Sequence, residues 1–200
     1  MSILVLASDN VHKCTEIQAG LPAWECVPQS HWDLETPEET GLTFVENALL
    51  KARYASKETG LPALADDSGL VVPALAGAPG IYSARYAGEG ATDQQNIAKL
   101  LTFMEEFSGE ERSAYYYCVI VAVAHPEDPT PCIGSALWWG KIALKPVGTG
   151  GFGYDPVFYL PDHTCTVAEL PAGEKQQLSH RARALLHFQQ QWSQEQNACL

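Results

Sequence analysis

From Ala114 to Ala124 the chain runs through aromatic and β-branched residues, turns between Pro126 and Pro131, and resumes an apolar pattern from Ile133 to Trp139. Two such runs joined by a short turn read as a β-hairpin. The same chain carries apolar residues at helical spacing, with Ile97, Leu100, Leu101 and Met104 following Thr92 at i, i+3, i+4 and i+7. A hairpin alongside amphipathic helices argues for a mixed α/β sheet flanked by helices.

The remaining segments extend this pattern. Met1 to Ala7 is an apolar strand without a basic leader, so it reads as buried sheet rather than a signal peptide. A short helix is expected over Lys13 to Ala19 and a second strand over Trp24 to Val27. A firmer helix starts at Thr43, whose hydroxyl can cap it while Glu46 reaches back, and ends at Gly60 with Pro62 beyond. Phe44, Ala48, Ala52 and Ala55 line one stripe of it, and Asn47 and Lys51 share another face. Ala63 to Ala65 is expected as a short strand that stops at Asp66-Asp67-Ser68-Gly69. Val157 to Tyr159 reads as a strand, and Ser179 as the cap of a last helix bearing Leu185, Phe188 and Trp192. No repeat or linker divides residues 1–200, which read as one domain.

Charge narrows the partners. Twelve Lys and Arg against 24 Asp and Glu give a formal charge of -12, which disfavours nucleic acid and anionic membranes because such surfaces need clustered cations. No apolar run reaches the ~18 residues of a membrane helix. Six cysteines (Cys14, Cys26, Cys118, Cys132, Cys165, Cys199) show no paired spacing and read as reduced thiols of a cytoplasmic protein.

Several segments could carry chemistry. Gly148 to Gly153 satisfies G-x-G-x-x-G, but Pro146 precedes it and Pro156 follows, so the strand–turn–helix context of a dinucleotide fingerprint is missing. The loop is either a flexible turn or bare backbone against a planar ligand, with Phe152 or Tyr154 stacking and Asp155 accepting a hydrogen bond. Ser8, Asp9, Asn10, Val11, His12 and Lys13 lie where a strand meets a helix, so their N–H groups and Lys13 can either receive phosphate oxygens or form a capping turn. Asp66 and Asp67 point to opposite faces of a strand, so one can bind metal while the other braces the turn. Glu38 and Glu39 could complete an oxygen-rich Mg²⁺ site, or be a solvated loop. His180 and Arg181 in the first turn of a helix oppose its dipole, which invites a functional reason.

Together these segments resemble the inosine/xanthosine triphosphate pyrophosphatase family, bacterial branch, over nearly the full length. The likeness rests on Ser8-x-Asn10-x-x-Lys13, Glu39-Thr40-Gly41-Leu42-Thr43-Phe44-x-Glu46-Asn47-Ala48-x-x-Lys51-Ala52 and Ala65-Asp66-Asp67-Ser68-Gly69-Leu70. It continues in Gly77-x-Pro79-Gly80-x-Tyr82-Ser83-Ala84-Arg85-Tyr86, Gly151-Phe152-Gly153-Tyr154-Asp155-Pro156 and Ser179-His180-Arg181. Asp9 and His12 depart from the family pattern, which has glycines there, and a carboxylate beside a phosphate loop weakens anion binding unless it points away.

The resemblance implies an elongated α/β subunit with a long mixed sheet, two lobes and a central active-site cleft, assembled as a homodimer. It implies Mg²⁺-dependent hydrolysis of ITP, dITP and XTP to monophosphate and pyrophosphate. By the same resemblance, Lys13, Lys51 and Lys175 hold the triphosphate with the Ser8–Lys13 backbone, and Asp67 is the general base or a metal ligand. Glu38 or Glu39 would assist with Mg²⁺, Ser68 would touch substrate, and Phe152, Gly153, Tyr154 and Asp155 with His180 and Arg181 would form the base pocket. Two alternatives stand beside this reading: a Maf-like pyrophosphatase for other modified nucleotides, and a catalytically silent nucleotide-binding sensor.

Overall fold

The computed structural model describes residues 3–198, with backbone alone at 172 and 194–198. Met1, Ser2 and Cys199 lie outside the described residues. Among the described residues, seven strands form one sheet in the order β2-β1-β3-β4-β5-β6-β7. They are β1 (Ile3–Leu6), β2 (Glu25–Pro28), β3 (Ala63–Val71), β4 (Ser113–Val123), β5 (Cys132–Ile142), β6 (Phe158–Leu160) and β7 (Cys165–Thr166). β1 pairs in parallel with β2 and β3, whereas β5, β6 and β7 pair antiparallel, so the sheet is mixed as the hairpin-plus-helix pattern predicts. β4 and β5 are consecutive neighbours in it.

The helices are α1 (Val11–Gly20), α2 (Phe44–Thr59), α3 (Asp93–Phe103), α4 (Ala172–Leu178) and α5 (His180–Ala198). α1 starts two residues before the expected Lys13 because the Asn10 side chain caps it, accepting from the Lys13 N–H, and it runs one residue beyond Ala19, to Gly20. α2 obeys its sequence signals: Thr43 Oγ1 accepts from Glu46 N at 3.3 Å, Glu46 reaches back to Leu42 N at 2.9 Å, and Gly60 closes the helix with φ +70°. Thr92 and Gln95 make a reciprocal capping box on α3. α4 is absent from the sequence expectation, and α5 begins directly after Ser179.

One strand departs from expectation in a way that matters. β3 does not stop at the aspartates but continues through Asp66, Asp67, Ser68 and Gly69 to Val71. Leu64 packs with α1 and α5 residues, including Ile17 and Leu185, while Ala63 and Ala65 pack with Ala52 and Ala55 of α2. By the alternation of a strand, Asp66 shares the face of Leu64 and Asp67 the face of Ala65. Similarly, β6 starts one residue late, after a 3₁₀ turn over Asp155–Val157.

The described residues divide into two compact units, residues 3–67 with 118–136 and 180–198, and residues 68–117 with 137–179. The first has its core around Leu4, Leu6, Ile17, Leu64, Ile120 and Phe188. The second has its core around Leu100, Met104, Tyr116, Trp138, Phe158 and Leu160. Alternation separates residues that are adjacent in sequence: Tyr116 and Trp138 are 7% and 5% exposed, whereas Trp139 is 56% exposed and lies tilted against Tyr115 with ring centroids 4.6 Å apart.

Candidate active site

In the first unit, the two faces of β3 hold two different charge clusters. Asp66, its side chain fully buried, receives Lys13 Nζ at 3.1 Å and Arg181 Nη2 at 3.1 Å. Arg181, 1% exposed, is also bound by Glu16 of α1. Burial alone would push the Asp66 carboxyl up, but Lys13, Arg181 and Lys51 hold it far below the usual carboxylate range. The cations at the starts of α1 and α5, unfavourable against their helix dipoles, are thereby accounted for by carboxylates that burial leaves no other way to neutralise.

On the other face, Lys51 Nζ lies 3.2 Å from Asp67 Oδ1 and 2.7 Å from Glu39 Oε1. The second oxygen, Asp67 Oδ2, is buried without a hydrogen-bond partner. Burial raises the Asp67 carboxyl above its ordinary value, and the nearby lysines only partly offset this. Lys51 is raised in spite of its own burial, because Asp67, Asp66 and Glu39 favour its charged form. Asn47, one turn before Lys51 on α2, accepts from Gly41 N at 2.8 Å and ties down the segment that carries Glu39. Gly41 has no room for a side chain, since a Cβ there would stand 2.6 Å from Asn47 Oδ1. Glu38 is exposed. Among the described residues, no three His, Cys, Asp or Glu gather as a metal cluster.

The departure at Asp9 is resolved locally. Its Oδ2 accepts from Gln29 Nε2 at 2.9 Å and from the Thr36 hydroxyl, so the carboxylate is tied to the segment after β2. Ser8 Oγ accepts from Asn10 N at 3.3 Å. Val11 and His12 are exposed at the start of α1. Gln29, Thr36 and Glu16 give no sequence signal of their own; only their partners reveal them.

In the second unit, the glycine-rich loop is folded onto carboxylates. Phe152 N donates to Asp155 Oδ2 at 3.0 Å and Gly153 N to Asp93 Oδ2 at 2.7 Å. Two N–H groups that could have cradled an anion are thus already committed. Tyr154 is 4% exposed and donates its hydroxyl to Ser83 O at 2.9 Å, so it belongs to the core and leaves Phe152 as the half-buried ring. Lys175, expected beside Lys13 and Lys51, has Asp155 Oδ2 at 2.5 Å and the Phe152 ring at 4.3 Å. Tyr116 Oη donates to Asp155 Oδ1 at 3.2 Å. Burial raises the Asp155 carboxyl, while Lys175, Phe152 N and Tyr116 oppose the rise. Ser68 is half-buried on β3; His180, which belongs to the first unit, is 6% exposed at the start of α5.

The first unit thus offers a buried basic carboxylate beside an ammonium, and the second a carboxylate–ammonium pair against an aromatic ring. Known proteins are similar to this chain in sequence and in fold. The Ham1 family profile matches residues 4–191. The chain is 54% identical over 185 residues to a dITP/XTP pyrophosphatase of Legionella pneumophila (strain Lens), covering 92% of this chain and 95% of that one. It is 52% identical over 187 residues to the dITP/XTP pyrophosphatase of Escherichia coli (strain K12), with the same two coverages of 92% and 95%. The solved structure of a HAM1 protein from Coxiella burnetii superimposes with a TM-score of 0.89 at 48% identity, covering 98% of this chain and 100% of that one. The chain belongs to the Ham1 family.

Proposed function

We propose that this protein hydrolyses non-canonical purine nucleoside triphosphates, ITP, dITP and XTP among them, to the monophosphate and pyrophosphate, clearing them before they enter DNA or RNA. The observation that carries this reading is Asp67, a buried carboxylate with one oxygen on Lys51 and the other without a partner, in a chain of this family. An unpartnered oxygen of raised basicity can take a proton from water attacking the α-phosphorus. Lys13 and Lys51 supply positive charge to the phosphate oxygens, each now held in place by a carboxylate.

The donor set fits a Mg²⁺ ion. Asp67 and Glu39 offer hard oxygens, and this ion commonly takes one or two protein carboxylates with water and substrate phosphates completing its shell. Bound there, it would neutralise charge gathering on the pyrophosphate leaving group. Glu39 is assigned over the exposed Glu38 because its carboxylate reaches Lys51.

Lys175 and Asp155 suit a 6-oxopurine. An ammonium beside a carboxylate presents a donor for O6 and an acceptor for N1–H, whereas adenine offers a donor and an acceptor in the reverse order. Leaving buried polar groups mismatched rejects an analogue by up to ~10⁴-fold. Phe152, under the Lys175 ammonium, supplies the stacking face.

A homodimer is inferred with this activity, supported by exposed apolar residues Leu137 and Trp139 on β5, at 43% and 56%. A small-molecule partner rather than nucleic acid is supported by the charge of -12. Among the described residues, no helix is long and apolar enough to cross a membrane. Cys14, Cys26, Cys118, Cys132 and Cys165 are free thiols, which supports the reducing cytoplasm as the place of action.

The test is purified protein with Mg²⁺ and ITP, dITP, XTP, ATP or GTP, following both phosphate and pyrophosphate. Pyrophosphate from ITP, dITP and XTP well ahead of ATP is expected. Orthophosphate as first product, equal rates on all five, or tight ITP binding without turnover would overturn the reading.

A further inference from the structure

We propose that Tyr116 is a specificity-determining residue, whose hydroxyl holds one acceptor position of Asp155 Oδ1 and so keeps that carboxylate an acceptor for the N1–H of a 6-oxopurine. The inference rests on Asp155 and Lys175 as the pair that reads the base.

The alternation of β4 turns Tyr116 into the core between Ala114 and Cys118, and its ring packs on Phe158 at 4.5 Å and Trp138 at 6.4 Å. Phenylalanine would fill the same space. The hydroxyl is therefore an added polar group in a fully buried position, where it costs free energy unless bonded. It is bonded to Asp155 Oδ1, and burial together with that carboxylate holds the phenol well above its ordinary range, so it remains a donor.

An ionised carboxylate has about four acceptor positions. On Asp155, Oδ2 takes Phe152 N and Lys175 Nζ, and Oδ1 takes Tyr116 Oη, which leaves one position, on Oδ1. Tyr116 thus selects which lone pair faces a ligand. It also opposes protonation, which burial favours. The groups facing Asp155 are Lys175 from α4, Tyr116 from β4 and the Phe152 amide, with Tyr154 and Asp93 acting on Tyr116 in turn. A protonated Asp155 would offer an O–H to N1 of adenine, removing one of the two mismatches that reject ATP.

The experiment measures kcat/KM for ITP and for ATP from about pH 5.5 to about pH 8.5 in wild type, Tyr116→Phe, Trp138→Phe and Asp155→Asn. Thermal unfolding of each variant accompanies the kinetics. In Tyr116→Phe, loss of ITP/ATP discrimination should begin at higher pH than in wild type, with the ratio at the acid end of the range reduced about tenfold by the missing charge-assisted hydrogen bond. Trp138→Phe alters packing around Tyr116 without touching Asp155 and should keep the wild-type profile. If Asp155→Asn loses discrimination while Tyr116→Phe matches wild type at every pH, the role of Tyr116 is refuted and base reading by Asp155 stands. If Trp138→Phe shifts the profile as much as Tyr116→Phe, packing rather than the hydrogen bond is responsible and the proposal falls. If Asp155→Asn keeps full discrimination, the base-reading pair itself is wrong and the proposal falls with it.

Discussion

Replacing Asp66 by Asn changes almost no volume but removes the charge that Lys13 and Arg181 share. The two cations differ in how they bear the loss. The Lys13 side chain is 18% exposed and can turn to water, so its share is small, about 1 kcal/mol or less. Arg181, at 1%, cannot rehydrate and would lose one of its buried carboxylate partners while keeping Glu16. Breaking a buried pair by removing one partner costs about 3–5 kcal/mol, and the surviving Glu16 contact places the expected loss near the lower end, about 3 kcal/mol. Urea unfolding at neutral pH measures it as a lower midpoint with an unchanged m-value.

The pH dependence has a definite sign. The folded-state pKa of Asp66 lies below its unfolded value of ~3.9, so its stabilisation is present above that value and is lost as pH falls through the folded one. Wild type and Asp66→Asn should therefore converge in stability on acidification below about pH 4. In an Arg181→Met background, Asp66→Asn should cost about 1 kcal/mol or less, because the buried cation is gone and Lys13 can turn to water. A loss under about 0.5 kcal/mol at neutral pH, or an equal loss in both backgrounds, would refute the view that Arg181 makes this carboxylate structurally necessary.

Asp67→Asn should lower kcat for ITP on the order of 10²–10⁴-fold with its circular dichroism retained, and the wild-type rate should fall with acid through a pKa above ~3.9, since burial raises this carboxyl and the ionised form acts. A pH profile flat to below that value would contradict the assignment. Arg112 donates to the carbonyls of Met104, Phe107, Ile142 and Ala143 at 2.6–3.1 Å, so Arg112→Met should destabilise the protein by about 3–5 kcal/mol in urea titrations. Gly151→Ala puts a Cβ 1.9 Å from Asp155 Oδ2 at φ +73° and should cut kcat/KM for ITP about 10²-fold, whereas Gly153→Ala, with nothing within 4 Å at φ +61°, should cost only about 1–2 kcal/mol of backbone strain.

Local signals in the chain were sufficient for much of the fold. Caps and periodicity located α2 and α3 because Thr43, Gly60 and Thr92 act within a turn of themselves. The run Tyr115-Tyr116-Tyr117 marked a strand, yet composition could not say that its middle tyrosine enters the core and the flanking pair does not; register settles that. α4 escaped notice, being seven residues long with too little periodicity to register.

The sequence by itself determined the mixed α/β class, the helices with strong caps, and the identity of the charged segments from which a site could be built. Only the tertiary structure decided how those charges pair. Asp66 and Asp67 read as strand breakers because a carboxylate inside an apolar run is costly until a cation is supplied, and nothing local supplies one. The partners arrive from elsewhere in the chain, Lys51 from 16 residues before Asp67 and Arg181 from 115 residues after Asp66. With them in place β3 runs uninterrupted, Asp66 is neutralised on one face, and Asp67 on the other keeps an oxygen without a partner.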